Sequence, residues 1–339
     1  MTASLSLPAS TAAPLRGGPV LRWGVLGPGE IASAFTKALH DHTDQRVVAV
    51  GSRSEERSAP FAADHGVERS HASYKNLLSD PSVDIVYIAT PNNVHRDHAL
   101  AAIAAGKHVL VEKPIAMDAA QAREIAMAAR DAGVFAMEAM WTRFQPKSTV
   151  IARLLDDGAL GNVTFASATL GSRFPQHVER IWDPRLGGGS LLDLGTYSVW
   201  WTQFALGTPT AVSAVGSLGA TGVDVQAVIS LTYPGAQGVS VSGALATLDN
   251  TGVIAGTEGL LTSAHFLAPG GFVLSTGGRT LEYEDPSGLV WRDGLCWQAA
   301  AIAGHIADGR TEAPEHPLAA SIAVMETLDA ARAALGYAF

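Results

Sequence analysis

Residues 21–32 read Leu-Arg-Trp-Gly-Val-Leu-Gly-Pro-Gly-Glu-Ile-Ala, and this stretch decides the fold of the first part of the chain. A short apolar run ends in a G-x-G-x-x-A turn, and an amphipathic stretch over about 30–42 follows with helical spacing. Gly27 and Gly29 let the backbone approach a pyrophosphate. The small Ala32 lets helix and strand lie close, and the helix N-terminus, with Glu30 and Ile31, offers oriented N–H donors. One such turn is weak evidence, because ordinary strand-to-helix turns also use glycine. Its place at the opening of the first strand–helix unit is where a dinucleotide fingerprint belongs.

Working outward, the pattern repeats. RVVAVGS (46–52), DIVYIAT (84–90), KHVLVEK (107–113) and VFAMEAM (134–140) alternate with helical stretches over about 55–65, 94–105 and 118–132. Val- and Ile-rich strands separated by helices build a parallel sheet covered on both faces. Beyond about residue 145 the style changes. One helical segment (about 147–157) precedes VTFASATLGS (163–172) and a strand-rich region over about 210–285 with Gly-rich turns, and helices over about 294–308 and 317–335 close the chain. The expected fold is α/β: an N-terminal Rossmann, doubly wound parallel sheet over 20–142, then an α+β domain over 143–339 with a large, mostly antiparallel open sheet. Residues 1–19, rich in Ser, Ala, Thr and Pro without a basic or continuous apolar segment, are expected to form a flexible leader rather than a signal peptide.

The chain has 339 residues, 47% hydrophobic and 16% charged, in the range of ordinary globular proteins and long enough for two domains. A net charge of −9 argues against nucleic acid or an anionic membrane surface as partner. No run of 18 apolar residues predicts a membrane-spanning helix. The single cysteine, Cys296, excludes an intrachain disulfide and a cysteine-built zinc site, and the histidines show no ligand spacing, so no metal is expected and a reducing, cytoplasmic location is.

Strand ends carry the remaining chemistry, since ligands of open parallel sheets bind at the C-terminal edge. After the second strand, where a ribose-binding acid would stand for NAD, the chain has Ser52 and Arg53 with Arg57 one turn later. A guanidinium and hydroxyls suit a 2′-phosphate, so NADP is preferred and NAD remains possible. Arg53 also fits a solvated surface charge. Thr90, Pro91 and Asn92, with His95, suit the nicotinamide ribose, and equally a turn and helix cap. Glu112-Lys113-Pro114 falls on the same edge. A lysine there can bond a substrate oxygen or lower the pKa of a neighbouring acid, whereas at an ordinary strand end the two charges would be a surface ion pair. Later, Trp182 precedes Gly187-Gly188-Gly189-Ser190-Leu191-Leu192-Asp193-Leu194-Gly195-Thr196-Tyr197, where Asp193 and Tyr197 lie four apart. Trp182 suits a sugar- or diol-binding wall, or simple loop packing.

Four motifs in this order, the glycine turn, T-P-N with its histidine, E-K-P and G-G-G-S-L-L-D-L-G-T-Y, resemble the glucose-fructose oxidoreductase/inositol dehydrogenase/rhizopine catabolism (Gfo/Idh/MocA) family over about residues 20–335. Met137-Glu138-Ala139-Met140-Trp141-Thr142-Arg143-Phe144 resembles its dimeric dihydrodiol dehydrogenase and NADP-dependent D-xylose dehydrogenase branch. The resemblance implies that Lys113 sits beside nicotinamide and substrate hydroxyl with Glu112 in support, and that Arg143 touches the coenzyme amide. It implies further that Tyr197, where many relatives have His, is a general acid/base with its pKa lowered by Lys113, and that Asp193 orients substrate hydroxyls or stabilises the lysine. The implied activity is hydride transfer between NADP(H) and a secondary or anomeric alcohol of a sugar, polyol or trans-dihydrodiol, by a homo-oligomer, a dimer or larger. Two alternatives accompany it: reduction of an oxo-sugar such as anhydrofructose, and a non-catalytic coenzyme-sensing regulator.

Overall fold

The computed structural model describes residues 6–337. Residues 1–5 of the leader lie outside the described part. In the first unit, six strands form a parallel sheet: β1 (Arg22–Leu26), β2 (Arg46–Gly51), β3 (Arg69–His71), β4 (Ile85–Ile88), β5 (His108–Val111) and β6 (Ala136–Glu138), in the order β3-β2-β1-β4-β5-β6. Helices α1 (Glu30–His42), α2 (Glu55–His65), α3 (Tyr74–Leu78), α4 (His95–Ala104) and α5 (Ala119–Ala132) connect them. Strand order reverses at β1, so the ends of β1 and β4 flank a topological switch point, the position at which such sheets take ligands.

Local chemistry accounts for these elements. All four residues of β4 are buried, as a strand covered on both faces requires. Helix α5 starts at Asp118, whose side chain accepts the Gln121 amide at 2.8 Å, and stops at Gly133 in the left-handed region (φ 64°). Trp23, Phe35 and Tyr87 fill the core, with Phe35 4.0 Å from Tyr87 between ring centroids.

The second unit contains α6 (Pro146–Asp156), β7 (Val163–Gly171), α7 (Glu179–Trp182), α8 (Thr196–Leu206), β8 (Ala211–Leu218), β9 (Asp224–Tyr233), β10 (Ala236–Gly243), β11 (Gly252–Gly256), β12 (Gly259–Ser263), β13 (Phe272–Thr276) and β14 (Arg279–Tyr283). Its sheet runs β14-β13-β12-β11-β7-β10-β9-β8, antiparallel except for β7 with β10. Helix α8 lies on β7 and β10, and Trp201 packs beside Phe266 at 5.4 Å. A Cβ on Gly252 would stand 2.6 Å from the Trp201 ring, which explains glycine at that strand position. The opposite face carries Val215, Val228 and Val241 in one cross-strand register, with Leu260 and Val273 further along. Four of these five, all but Val241, are exposed.

The units divide differently from the expected 20–142 and 143–339. Compactness joins residues 13–144 with Trp291–Ile322, which include α9 (Cys296–Ala307), while Gln145–Val290 associates with the described residues up to Ala12 and from Ala323 on, the latter part of α10 (Leu318–Leu335). The apolar α9, buried from Cys296 to Ala303, helps to complete the core of the first unit, and Ala136 of β6 donates to Thr311 O at 3.0 Å. The described part of the leader is hydrogen-bonded, because its Ser, Thr and Arg groups find partners. Ser10 Oγ meets Thr149 Oγ1 at 2.9 Å in the second unit, and Gly17 N donates to Asp44 at 2.7 Å in the first. Among the described residues no helix is long and apolar enough to cross a membrane.

Candidate active site

In the first unit the glycine turn has the form the sequence predicts. Gly27 adopts φ 97°, and a Cβ there would meet Thr90 Cγ2 at 2.9 Å and Ala89 O at 3.0 Å, so only glycine lets β1 and β4 end this close together. Gly29 has ordinary φ, and a Cβ on it would approach nothing in the protein nearer than 4.0 Å. As N-cap of α1 it offers no side chain to the first-turn amides, and the open space around it leaves room for a pyrophosphate. Ala32 is fully buried. Glu30 is exposed and pairs with Arg292 Nη1 at 2.7 Å, which offsets a negative charge at an anion-binding turn. Nothing in the sequence pointed to Arg292.

Ser52 is buried at the end of β2, its amide donating to His71 O at 3.1 Å, while Arg53 and Arg57 are exposed. Thr90 is buried and its hydroxyl lies 3.0 Å from His98 Nδ1. Pro91 and Asn92 lead into a short 3-10 turn, Asn92–Val94. His95 is fully buried, with Nδ1 2.8 Å from Pro114 O and Nε2 2.7 Å from Thr90 O. It therefore stands between backbone oxygens at the ends of β4 and β5, and because burial pushes its pKa down, the neutral ring donates to one of the two at a time.

Lys113 is half-buried and follows Glu112, which is 7% exposed. Burial pushes the Glu112 carboxyl up, against the Tyr87 hydroxyl that donates to it and the nearby Lys113 charge. Glu112 Oε2 also accepts the Lys113 amide at 3.2 Å. The Lys113–Pro114 peptide is cis. The pair is thus unlike a surface ion pair, since the carboxylate faces inward. Arg143 lies in the 3-10 turn Trp141–Phe144, in the field of Glu315.

In the second unit Asp193 belongs to a π-helical turn, Leu191–Gly195, that runs directly into α8, which carries Tyr197. Single π turns concentrate at functional sites. Asp193 accepts from Arg180 Nη1 at 2.7 Å, a partner the sequence reading did not assign, and Tyr197 is 6% exposed. Asp224 anchors the turn from behind: it accepts from Ser190 Oγ at 2.6 Å, from Leu191 N at 2.8 Å and from Tyr337 OH. Gly189 (φ 116°) leaves room for it, since a Cβ would stand 2.3 Å from Asp224 Oδ1. Trp182 joins an apolar cluster with Ile181, Val223, Val225 and Ala244, and its indole donates to Pro175 O at 2.8 Å.

A glycine turn at the switch point of a six-stranded parallel sheet, with a second, mostly antiparallel unit in the same chain, is the architecture of a dinucleotide-binding protein. Residues 21–140 match the oxidoreductase family with NAD-binding Rossmann fold and residues 149–262 match the GFO/IDH/MocA C-terminal domain, and the chain belongs to this family. It is 36% identical over 331 residues to the trans-1,2-dihydrobenzene-1,2-diol dehydrogenase of Mus musculus, covering 94% of this chain and 98% of that protein. Among solved structures it is similar to the aldose-aldose oxidoreductase from Caulobacter crescentus complexed with glycerol (25% identity, TM-score 0.83, 93% and 97% covered). It is also similar to KijD10, a 3-ketoreductase from Actinomadura kijaniata in complex with NADP and TDP-benzene (26% identity, TM-score 0.79, 93% and 98% covered). The chain is an NAD(P)-dependent oxidoreductase.

Proposed function

We propose that the protein transfers a hydride between NADP(H) and a secondary or anomeric alcohol of a sugar, polyol or trans-dihydrodiol. The observation that carries this reading is the constellation at the strand ends of the first unit: an open glycine turn, Ser52 with Arg53 and Arg57 where an acid would select NAD, and a lysine backed by a buried carboxylate. The dihydrodiol and aldose chemistry of the named relatives supports the substrate class.

Gly27, Gly29, Glu30 and Ile31 would hold the pyrophosphate, and Ser52, Arg53 and Arg57 a 2′-phosphate. Thr90, Pro91 and Asn92 would take the nicotinamide ribose, with His95 holding their backbone. Arg143 would meet the coenzyme amide. Bound coenzyme supplies or accepts the hydride at its nicotinamide ring. Lys113 presents an ammonium to the reacting oxygen, where it stabilises developing alkoxide charge. Tyr197 takes or returns the hydroxyl proton, and Asp193, oriented by Arg180, fixes further substrate hydroxyls. The valine-lined outer face of the second-unit sheet is our candidate for pairing into a homodimer, and a single buried cysteine suits a cytoplasmic setting.

The test follows reduced-nicotinamide absorbance with NADP and NAD against aldoses, inositols and trans-dihydrodiols, in the wild type, Lys113→Met and Tyr197→Phe. Turnover that prefers NADP and drops by about 10²–10⁴-fold in both variants is expected. Activity untouched by Tyr197→Phe would assign the proton to another group, and a preference for NAD would remove the phosphate role of Arg53.

A further inference from the structure

Behind the Lys113 turn lies a buried polar network that hydride transfer does not use. Glu138 ends β6 and is 0% exposed. Its Oε1 accepts the Ile115 amide at 2.9 Å and its Oε2 lies 3.1 Å from His316 Nε2. A carboxylate only accepts, so Nε2 carries the proton and donates. Ser321 Oγ stands 3.0 Å from the same nitrogen, and His316 is 2% exposed. On the other side of the turn, His95 Nδ1 meets Pro114 O. The two residues after Lys113 thus each meet one buried side chain: the Pro114 carbonyl faces His95, and the Ile115 amide donates to Glu138.

A buried carboxylate costs stability unless it is fully hydrogen-bonded. An apolar residue would close this strand end as well, as Ala136 and Met137 do within it. The carboxylate instead occupies one amide of the turn, with a histidine dedicated to it from 178 residues away in the chain. Such supporting partners keep a functional side chain within the narrow geometry that catalysis needs.

We propose that Glu138 and His316 are positioning residues for Lys113, fixing the turn from which its ammonium projects. The inference rests on the reading of Lys113 as the cation at the reacting oxygen.

The experiment uses the full chain and compares Glu138→Ala, Glu138→Gln, His316→Phe and His316→Gln, each with Lys113 intact and in a Lys113→Met background. Turnover number, KM and coenzyme Kd are measured, with the acylation rate of Lys113 in each protein with Lys113 intact taken relative to the exposed Lys37 and Lys75. Glu138→Ala is expected to lower kcat by about 10²-fold, as a misplacement of order 1 Å does, with coenzyme Kd changed less than about threefold. His316→Phe lowers kcat by about tenfold, and glutamine at either position restores most of the loss because it keeps the needed acceptor or donor. In the Lys113→Met background the alanine change costs less than about twofold more, since residues acting as a unit are not additive. Relative acylation of Lys113 shifts by about threefold or more in Glu138→Ala and His316→Phe. An equal loss in both backgrounds, or an unchanged relative Lys113 acylation rate, overturns the proposal. Lys113→Met with full turnover would instead overturn the reading of Lys113, and the acylation rates still decide whether Glu138 positions it. If Glu138→Ala fails to fold, His316→Phe carries the same comparison.

Discussion

Asp224→Ala should weaken the second unit by far more than a surface change. The carboxylate is 1% exposed and accepts from Ser190 Oγ, Leu191 N and Tyr337 OH. Ser190 keeps Ser242 Oγ at 3.0 Å after truncation, so two donors lose their acceptor, the Leu191 amide and the Tyr337 hydroxyl. Bonds to a charged acceptor contribute about 1.5–3 kcal/mol each, or roughly 3–6 kcal/mol for two. Removal of the buried charge relieves part of its desolvation, which leaves a net cost of about 3–4 kcal/mol. For a unit of this size that lowers Tm by roughly 6–16 °C. The assay is thermal unfolding of wild type, Asp224→Ala, Asp224→Asn, Tyr337→Phe and the Asp224→Ala/Tyr337→Phe pair. Asp224→Asn should lose only about 1–2 kcal/mol, since one acceptor remains. The pair should show a coupling of about 1–2 kcal/mol, because burial and the facing carboxylate hold the Tyr337 phenol protonated, well above its usual range. A shift below about 2 °C for Asp224→Ala, or simple additivity with Tyr337→Phe, would refute the reasoning.

Two pH-dependent outcomes follow from buried groups. Glu112 has a raised pKa in the folded state, chiefly through burial, so its contribution is present at low pH and lost as pH rises through that value. Glu112→Gln should therefore gain stability relative to wild type in urea titrations as pH rises above the ordinary glutamate value of about 4.3, and a constant difference would contradict the burial argument. Lys147 is fully buried in α6, donates to His265 O and Ala268 O, and burial lowers its pKa to about 7, against the raising influence of Asp285. A lysine depressed from an unfolded value of about 10.4 contributes its full stability above that value and loses it as pH falls to about 7. Wild type should therefore gain on Lys147→Met as pH rises from about 7 to about 10, read as a difference in denaturation midpoint.

The parallel sheet was legible because strands covered on both faces need short, mostly apolar runs, and GVL in β1, VVAV in β2, IVYI in β4 and VLV in β5 supply them. The glycine turn was legible because Gly27 has no substitute at its φ and spacing. Other features depend on partners that no local pattern reveals. Lys147 reads as a solvated charge in the first turn of a helix, yet its ammonium is enclosed by carbonyls from a turn over a hundred residues later. Asp224 looks like a polar strand residue until the π-helical turn covers it. Glu138 and His316 meet across 178 residues, and neither has a neighbour in sequence that announces the other. The return of Trp291–Ile322 to the first unit was missed for the same reason: an Ala-rich helix shows that it will be buried but not against what.

That return has a consequence for biosynthesis. The ribosome delivers the chain in order at roughly 5–20 residues per second, so after Phe144 emerges the whole stretch to Val290 must follow before Trp291 appears, a delay of roughly 7–30 s. During that interval the nascent parallel sheet has its glycine turn and Lys113 but lacks α9, Arg292 and His316. Its last strand then has no Thr311 carbonyl beside it, and the Glu138 carboxylate waits without its imidazole. The first unit is thus completed only after the inserted unit has been translated.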